Sequence, residues 1–134
     1  MAAAAALAAR GRPLSRPNPA VGALIVRDGI VVGRGWTQAG GRPHAEAVAL
    51  EQAGEAARGG TLYVTLEPCA HESQRGPACA DLVAASALQR VCIGVADPDP
   101  RTAGAGLEAI RAAGIGADLI ASPEAEASLA GYMM

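Results

Sequence analysis

The stretch Thr61-Leu62-Tyr63-Val64-Thr65-Leu66-Glu67-Pro68-Cys69 decides the fold of this 134-residue chain. Its first six residues are β-branched, aromatic or aliphatic, and a short apolar run of this kind is typical of a buried strand. Glu67 and Pro68 end that strand, because proline cannot donate a hydrogen bond to a sheet ladder. An irregular segment follows, and a helix is predicted over residues 78–87. The stretch therefore begins a strand–loop–helix unit.

The segments on either side of this strand continue the alternation of strands and helices. Residues 21–27 and 30–35 are apolar runs joined by Asp28-Gly29, which is the strongest short-range signal of a β-hairpin. Further strands are predicted over residues 91–96 and 116–121, and helices over residues 1–9, 44–57, 106–113 and 123–132. This order predicts one α/β domain with a mixed five-stranded sheet, in which a hairpin is followed by parallel strands and helices cover both faces.

The composition narrows the classes of function. The chain is 51% hydrophobic and 18% charged, which is typical of a folded globular domain. Its formal net charge is −2 and its basic residues are scattered arginines, so we expect no nucleic-acid partner. The alanine-rich segment 1–9 is too short to span a membrane and has no basic region before it, so we expect neither a membrane span nor a secretory signal. Three cysteines without such a signal favour metal binding or catalysis in a reducing, cytoplasmic compartment.

Three segments place metal-binding side chains at junctions between strands and helices. His44 opens a predicted helix, Cys69 follows the end of a strand, and Cys79 begins the next helix. In an open α/β sheet, this edge is where functional crevices form. Zinc prefers thiolate and imidazole ligands, and one histidine with two cysteines fills three of its four positions and leaves the last for water. Glu46 shares the first helical turn with His44, where it could move protons without binding the metal.

Other interpretations of these residues remain open from the sequence. A closed structural zinc site would need a fourth ligand, for which His71 is the obvious candidate. Glu46 could instead stabilise a helix N-terminus, where carboxylates are favourable. Glu67 could cap backbone amides near the site, and the turn at residues 97–100 could line a substrate pocket. Cys92 alternates with apolar neighbours in a predicted strand, so we expect it in the core.

The spacing of the two cysteines departs from the general signature of zinc deaminases. That signature is His-x-Glu followed by Pro-Cys-x-x-Cys, whereas nine residues separate Cys69 from Cys79 here. The wider spacing still closes a chelate, and it places a loop next to the metal. The loop carries His71 and Arg75, whose side chains are suited to holding a substrate.

Five segments carry a more specific pattern. They are residues 17–22 (PNPAVG), 44–46 (HAE), 63–71 (YVTLEPCAH), 77–80 (PACA) and 97–100 (DPDP). Through these segments the sequence resembles the deaminase domain of bifunctional riboflavin-biosynthesis proteins over nearly its whole length. The run 63–71, the Pro-Asn-Pro segment and the long gap between the cysteines are specific to this branch of the deaminases.

The resemblance implies a cytidine-deaminase-like fold, which is a three-layer α/β/α sandwich, with zinc as the cofactor and Glu46 as the proton carrier. The implied reaction is the hydrolytic removal of the 2-amino group from 2,5-diamino-6-ribosylamino-4(3H)-pyrimidinone 5′-phosphate. By matching position, Asn18 and His71 would contact this substrate, and Arg75 would meet its phosphate.

The chain also departs from the family's pattern. Family members often carry a histidine at the position of Thr37, and the loop at residues 72–78 is one residue longer than the usual form. We expect residues 1–134 to form a single deaminase domain without the family's reductase domain. We also expect the chain to form a homodimer and to have a separate or fused reductase as its partner. The alternatives are a deaminase for another nucleoside or nucleobase, and a catalytically silent zinc-binding module that partners a separate reductase.

Overall fold

The computed structural model describes residues 1–11, 19–70, 78–99, 102–120 and 122–130. Within these ranges the chain forms five α-helices and five strands. In chain order they are α1 (Ala2–Ala8), β1 (Gly22–Arg27), β2 (Ile30–Trp36), α2 (Ala45–Ala53), β3 (Thr61–Leu66), α3 (Cys79–Ala84), β4 (Arg90–Val95), α4 (Ala105–Ala112), β5 (Gly116–Leu119) and α5 (Pro123–Ser128). Among the described residues, no helix is both long and apolar enough to cross a membrane.

The five strands form one mixed sheet in the order β2-β1-β3-β4-β5. Strand β1 is antiparallel to both β2 and β3, whereas β3, β4 and β5 run parallel. At the hairpin turn, Asp28 and Gly29 have φ values of 52° and 77°. Positive φ at both positions is what a two-residue hairpin loop requires, and Asp-Gly is a preferred pair for it. The predicted hairpin and the parallel strands after it are confirmed.

Helices cover both faces of the sheet, so the predicted three layers are present. Helices α1 and α5 pack on one face, and α2, α3 and α4 pack on the other. The main core lies between the sheet and the second group, and it is aliphatic throughout. Its largest fully buried members on that side are Ile25, Leu62, Val64, Val83, Val91, Ile93 and Ile110, and Leu129 at the end of α5 belongs to the same apolar cluster.

Glycine allows α2 to contact the backbone of the hairpin directly. A Cβ atom at Gly35 in β2 would overlap the carbonyl oxygen of Ala45 and lie 2.8 Å from the amide nitrogen of Ala49. No other residue type lacks this atom, so only glycine permits this approach. Because Ala45 is the first residue of α2, the close approach fixes the height of that helix's N-terminus above the sheet.

Helices α2, α3 and α5 are shorter than the sequence predicts. Helix α2 ends at Ala53 and continues only as a 3-10 turn to Ala57. Helix α3 ends at Ala84, although the prediction extends to residue 87. The Ser86 hydroxyl donates to the Val83 carbonyl, which competes with the helical backbone bonds and favours termination. Helix α5 ends at Ser128, although the prediction extends to residue 132, and residues 131 and 132 lie outside the described part of the chain.

Candidate metal centre

The local backbone structure places the side chains of His44, Cys69 and Cys79 close to the ends of a strand and two helices. His44 occupies the N-cap of α2 with extended backbone, and its carbonyl accepts the first helical bond from Val48 at 3.2 Å. Cys69 lies three residues beyond β3, and Cys79 is the first residue of α3. The backbone joins the two cysteines directly, because the Cys79 N–H donates to the Cys69 Sγ at 3.2 Å and the Ala80 N–H donates to the Cys69 carbonyl at 2.9 Å.

The three donor atoms converge on one point. His44 Nδ1 lies 3.0 Å from Cys79 Sγ and 3.8 Å from Cys69 Sγ. All three ligand atoms lie within 4.8 Å of one another. Zinc bonds of about 2.1 Å to nitrogen and 2.3 Å to sulfur, at a tetrahedral angle, would separate two ligand atoms by roughly 3.6 Å. The distances bracket this value, so the donor set fits one tetrahedral ion.

The two thiols titrate as a pair. Hydrogen bonding with Cys79, assisted by His44, lowers the pKa of Cys69 to about 3, although burial acts in the opposite direction. The pKa of Cys79 is raised, because losing its proton would break the hydrogen bond to Cys69 and add a second buried charge. Both shifts arise from the close approach of the two sulfurs and His44, and a divalent cation bound between these atoms would replace that contact with direct bonds to the metal.

Glu46 lies beside this group of donors but is not part of it. Its side chain is on the first turn of α2 and is only 3% exposed. Burial raises the pKa of this carboxyl, while interactions with His44 and Arg42 lower it in part. Glu46 in turn raises the pKa of Cys79, which places the carboxylate within electrostatic reach of that sulfur. A buried carboxyl with a raised pKa holds a proton more readily than an exposed one, which suits a group that accepts and passes on protons.

The profile of one protein family matches residues 1–95, which contain His44, Glu46 and Cys69. That family is described as the cytidine and deoxycytidylate deaminase zinc-binding region. The chain belongs to this deaminase family. Its membership agrees with the expectation of zinc as cofactor and with the convergence of His44, Cys69 and Cys79.

The curated relatives of this deaminase-family chain include riboflavin biosynthesis proteins named RibD. The protein of Escherichia coli K12 is 51% identical over 115 residues, covering 86% of this chain and 31% of the relative. The protein of Aquifex aeolicus is 47% identical over 116 residues, covering 87% of this chain and 32% of the relative. The chain therefore spans about a third of the length of these relatives.

Solved structures confirm the deaminase fold. RibD of Acinetobacter baumannii superposes with a TM-score of 0.89 at 42% identity, covering 96% of this chain and 36% of that one. A Thermotoga maritima protein, described as a diaminohydroxyphosphoribosylaminopyrimidine deaminase and 5-amino-6-(5-phosphoribosylamino)uracil reductase, superposes with a TM-score of 0.89 at 38% identity, covering 98% of this chain and 38% of that one. The Aspergillus oryzae Rib2 deaminase in complex with DARIPP gives a TM-score of 0.71 at 23% identity over 90% of this chain and 81% of that one, which supports the fold alone.

Two residues before Cys69, the deaminase-family chain buries a second carboxyl side chain, that of Glu67. Its Oε1 accepts hydrogen bonds from the N–H groups of Asp97 at 3.2 Å and Gly104 at 3.0 Å, and its Oε2 accepts one from Leu107 at 3.1 Å. Gly104 is the N-cap of α4, so Glu67 supplies the acceptors that a capping side chain usually provides. The expectation that Glu67 caps backbone amides near the site is confirmed.

Thr102 makes a further link to the metal-binding segment. Its Oγ1 accepts a hydrogen bond from the N–H of Ala70 at 3.2 Å, and the residue is 1% exposed. Thr102 and Arg42 belong to no motif with recognisable chemistry, so the sequence alone does not identify them as residues of the site. The contribution of Thr102 depends on tertiary proximity to Ala70, 32 positions away, which no local pattern in the sequence records.

Thr37 lies directly after β2 and holds two segments of the chain together. Its Oγ1 accepts a hydrogen bond from the Val21 N–H at 2.9 Å, and its own N–H donates to the Val21 carbonyl at 3.0 Å. The residue is buried, with an exposed fraction of 2%. Thr37 therefore fastens the chain before β1 to the chain after β2.

The remaining predicted residues divide into two groups. Cys92 is fully buried in β4, where burial raises the pKa of its thiol, so the expectation of a core residue is confirmed. The three predicted substrate contacts, Asn18, His71 and Arg75, lie outside the described residues. His71 is also the candidate fourth ligand of a closed zinc site, so the structure does not describe that ligand either.

Proposed function

We propose that this chain is a zinc-dependent hydrolytic deaminase. Its substrate is 2,5-diamino-6-ribosylamino-4(3H)-pyrimidinone 5′-phosphate, which loses its 2-amino group as ammonia and becomes 5-amino-6-ribosylaminouracil 5′-phosphate in riboflavin biosynthesis. His44, Cys69 and Cys79 hold the metal, and Glu46 carries the protons.

The observation that carries this proposal is the convergence of three zinc donors beside a buried carboxyl that is not a donor. A structural zinc site has no need of such a neighbour, because its four ligands already complete the coordination. A hydrolytic deaminase requires one, since a proton must leave the attacking water and reach the departing nitrogen. Glu46 lies within electrostatic reach of Cys79, and burial raises the pKa of its carboxyl.

The chain's own residues divide the work of the reaction. When bound, zinc supplies a Lewis acid that makes water a nucleophile near neutral pH. Glu46 accepts a proton from the attacking water as the new bond to carbon 2 of the pyrimidine forms. It then delivers that proton to the amino nitrogen, the carbon–nitrogen bond breaks, and ammonia leaves. The buried position of Glu46 keeps bulk water from competing for this proton.

The choice of substrate is supported by the relatives. The Thermotoga maritima protein, which shares 38% identity over 98% of this chain, is described as a deaminase for this phosphorylated pyrimidine joined to a reductase. Asn18 and His71 are proposed as contacts to the substrate, and Arg75 as the contact to its phosphate. The guanidinium group suits that role because it binds phosphate through two parallel hydrogen bonds.

Release of ammonia from zinc-loaded protein tests this function, with Glu46→Gln beside the wild type. The amide keeps the size of the side chain but cannot carry the proton, so we expect turnover to fall by about 100-fold or more while zinc content stays at one ion per chain. Glu51→Gln is the matched control, because Glu51 is an exposed glutamate of the same helix. It should keep wild-type turnover.

Three outcomes would contradict the proposal. Zinc-loaded wild type that releases no ammonia from this substrate would exclude the proposed reaction, as expected of a silent zinc-binding module. Glu46→Gln with most of its activity would exclude the assigned proton carrier. Full zinc occupancy in Cys69→Ala or Cys79→Ala would exclude that residue as a ligand.

We also propose a cytoplasmic location, a homodimer, and a reductase as partner. In the Thermotoga maritima relative, the description names both activities for one protein. Light scattering of purified protein measures the mass of the assembly, and co-purification with a reductase from the source cell tests the partner.

A further inference from the structure

We infer that Glu67 is a positioning residue for the metal centre. Its buried carboxylate, together with the hydroxyl of Thr102, ties the segment that carries Cys69 to the start of α4 and the residues before it, and this tie sets the affinity of the site for zinc. The inference rests on the proposed role of Cys69 as a ligand, and it adds a residue that neither binds the metal nor meets the substrate.

Hydrogen bonds to one neighbouring part of the chain, from Asp97 to Leu107, hold the residues on both sides of Cys69. Two residues before it, Glu67 accepts two backbone N–H groups from the segment between β4 and α4 and a third from the first turn of α4. One residue after it, the Ala70 N–H donates to Thr102 in that same segment. The Glu67 N–H also donates to the Val95 carbonyl at 2.9 Å, which continues the pairing of β3 with β4. Cys69 is therefore held between two anchored neighbours.

A comparison of two helix caps shows why this tie differs from ordinary capping. Helix α5 is capped by its own N-cap residue, because Ser122 Oγ accepts the Ala125 N–H at 3.2 Å. Helix α4 has Gly104 at its N-cap, with φ of 93° and no side chain to supply an acceptor. Its cap comes instead from Glu67, beside a metal-binding residue. The hydrogen bonds of the Glu67 carboxylate therefore affect both the stability of the N-terminus of α4 and the position of Cys69.

The carboxylate is also the chemical group that the position requires. A buried carboxylate is costly unless each oxygen has partners, and three N–H groups supply them here. A glutamine could keep its carbonyl oxygen where Oε1 accepts two bonds. Its NH2 group would then face the Leu107 N–H, so that two donors would oppose each other. Glu67→Gln therefore weakens the tie while preserving the volume of the side chain.

Glu67→Gln and Ser122→Ala form a matched pair of cap variants for the test. Both should lower the midpoint of urea unfolding, because each removes an acceptor from a helix N-terminus. Zinc affinity of the folded protein is then measured by competition with a chromophoric chelator. We expect Glu67→Gln to bind zinc roughly 10-fold more weakly, as is typical when a residue that orients a metal ligand is changed, and Ser122→Ala to bind as wild type does.

A spectroscopic measurement checks the same inference without relying on affinity. In protein loaded with cobalt(II), the thiolate-to-cobalt charge-transfer bands report how the two sulfurs are held. These bands should shift in Glu67→Gln and stay unchanged in Ser122→Ala. Wild-type spectrum and wild-type zinc affinity in Glu67→Gln would overturn the inference and reduce Glu67 to a helix cap, while leaving the proposed deaminase function intact.

The Thr102 link supplies a second pair of variants, which decides the matter if Glu67→Gln does not fold. Thr102→Ser keeps the hydroxyl that accepts the Ala70 N–H, whereas Thr102→Val replaces it with a methyl group of similar size. We expect weakened zinc binding in Thr102→Val and recovery in Thr102→Ser. Equal affinity in these two variants would overturn the inference. Wild-type protein that binds no zinc would overturn this inference and the proposed function together.

Discussion

Replacement of Gly35 by alanine tests how closely α2 is held to the hairpin, and through it where His44 and Glu46 lie. The new Cβ would be 2.8 Å from the amide nitrogen of Ala49 and would overlap the carbonyl oxygen of Ala45. Because ordinary contacts between heavy atoms lie at about 3.5–4.0 Å, the helix has to move away from the sheet by roughly 0.7 Å or more. Both clashing atoms belong to backbone, so no side-chain rotation relieves the strain.

The expected loss of stability follows from this geometry. Forcing one extra methyl group into a packed interior typically costs about 1–3 kcal/mol. Zinc affinity should fall as well, because Ala45 lies between His44 and Glu46 on the part of α2 that must move. Urea unfolding followed by far-ultraviolet circular dichroism gives the free energy of unfolding, and chelator competition gives the zinc affinity.

Gly116→Ala is the matched control for this experiment. Gly116 also lies in a strand, but a Cβ there would meet its nearest atoms at 3.7 and 3.9 Å, which are ordinary contacts. We expect this variant to stay within about 0.5 kcal/mol of the wild type. If Gly35→Ala and Gly116→Ala have the same free energy of unfolding and the same zinc affinity, the close approach of α2 does not set the position of the site.

Two further predictions concern thiol reactivity and the buried threonine. In zinc-loaded protein we expect no rapid alkylation by iodoacetamide. After chelation, mass spectrometry should find label on Cys69, whose pKa is lowered, but none on Cys92 until urea is added, because burial shields the Cys92 thiol and raises its pKa. Label on Cys92 in folded protein would contradict its assignment to the core. Thr37→Val should lower the free energy of unfolding by about 1–3 kcal/mol, because the buried Val21 N–H loses its side-chain acceptor, whereas Thr37→Ser should retain most of the stability. Equal urea midpoints for these two Thr37 variants would contradict the role of the hydroxyl.

The parts of the fold that the sequence predicts are those governed by local physics. Asp28-Gly29 specifies its turn through backbone conformations that these two residues favour, so the hairpin is evident from four or five neighbouring residues. The strand at residues 61–66 is recognisable because each residue in it suits a buried, pleated surface. By contrast, α3 ends early at Ala84 because the Ser86 hydroxyl competes for a helical carbonyl, an outcome that helix propensity does not capture.

In the candidate site, too, the residues set by local chemistry can be predicted from the sequence, whereas contacts that depend on packing cannot. His44, Glu46, Cys69 and Cys79 could be chosen from the sequence, because zinc chemistry demands particular residue types at junctions of strands and helices. The bond from Leu107 to Glu67 joins residues 40 positions apart, and the hydroxyl of Thr102 meets the Ala70 N–H 32 positions away. Such contacts depend on how the elements pack, and a threonine or glutamate carries no sign of a distant partner.

The order of strands in the sheet has a consequence for when the metal centre can form as the chain folds. The hairpin and α2 are contiguous in sequence and pack against each other, so their contacts require only short loops to close and can form early. Strand β3 then has to insert between β1 and the parallel strand β4, a pairing between distant segments that is intrinsically slow. His44 belongs to the early unit, whereas both cysteines follow β3. Complete coordination by all three residues is therefore a late event, and an unfinished chain can present a metal ion with no more than part of its ligands.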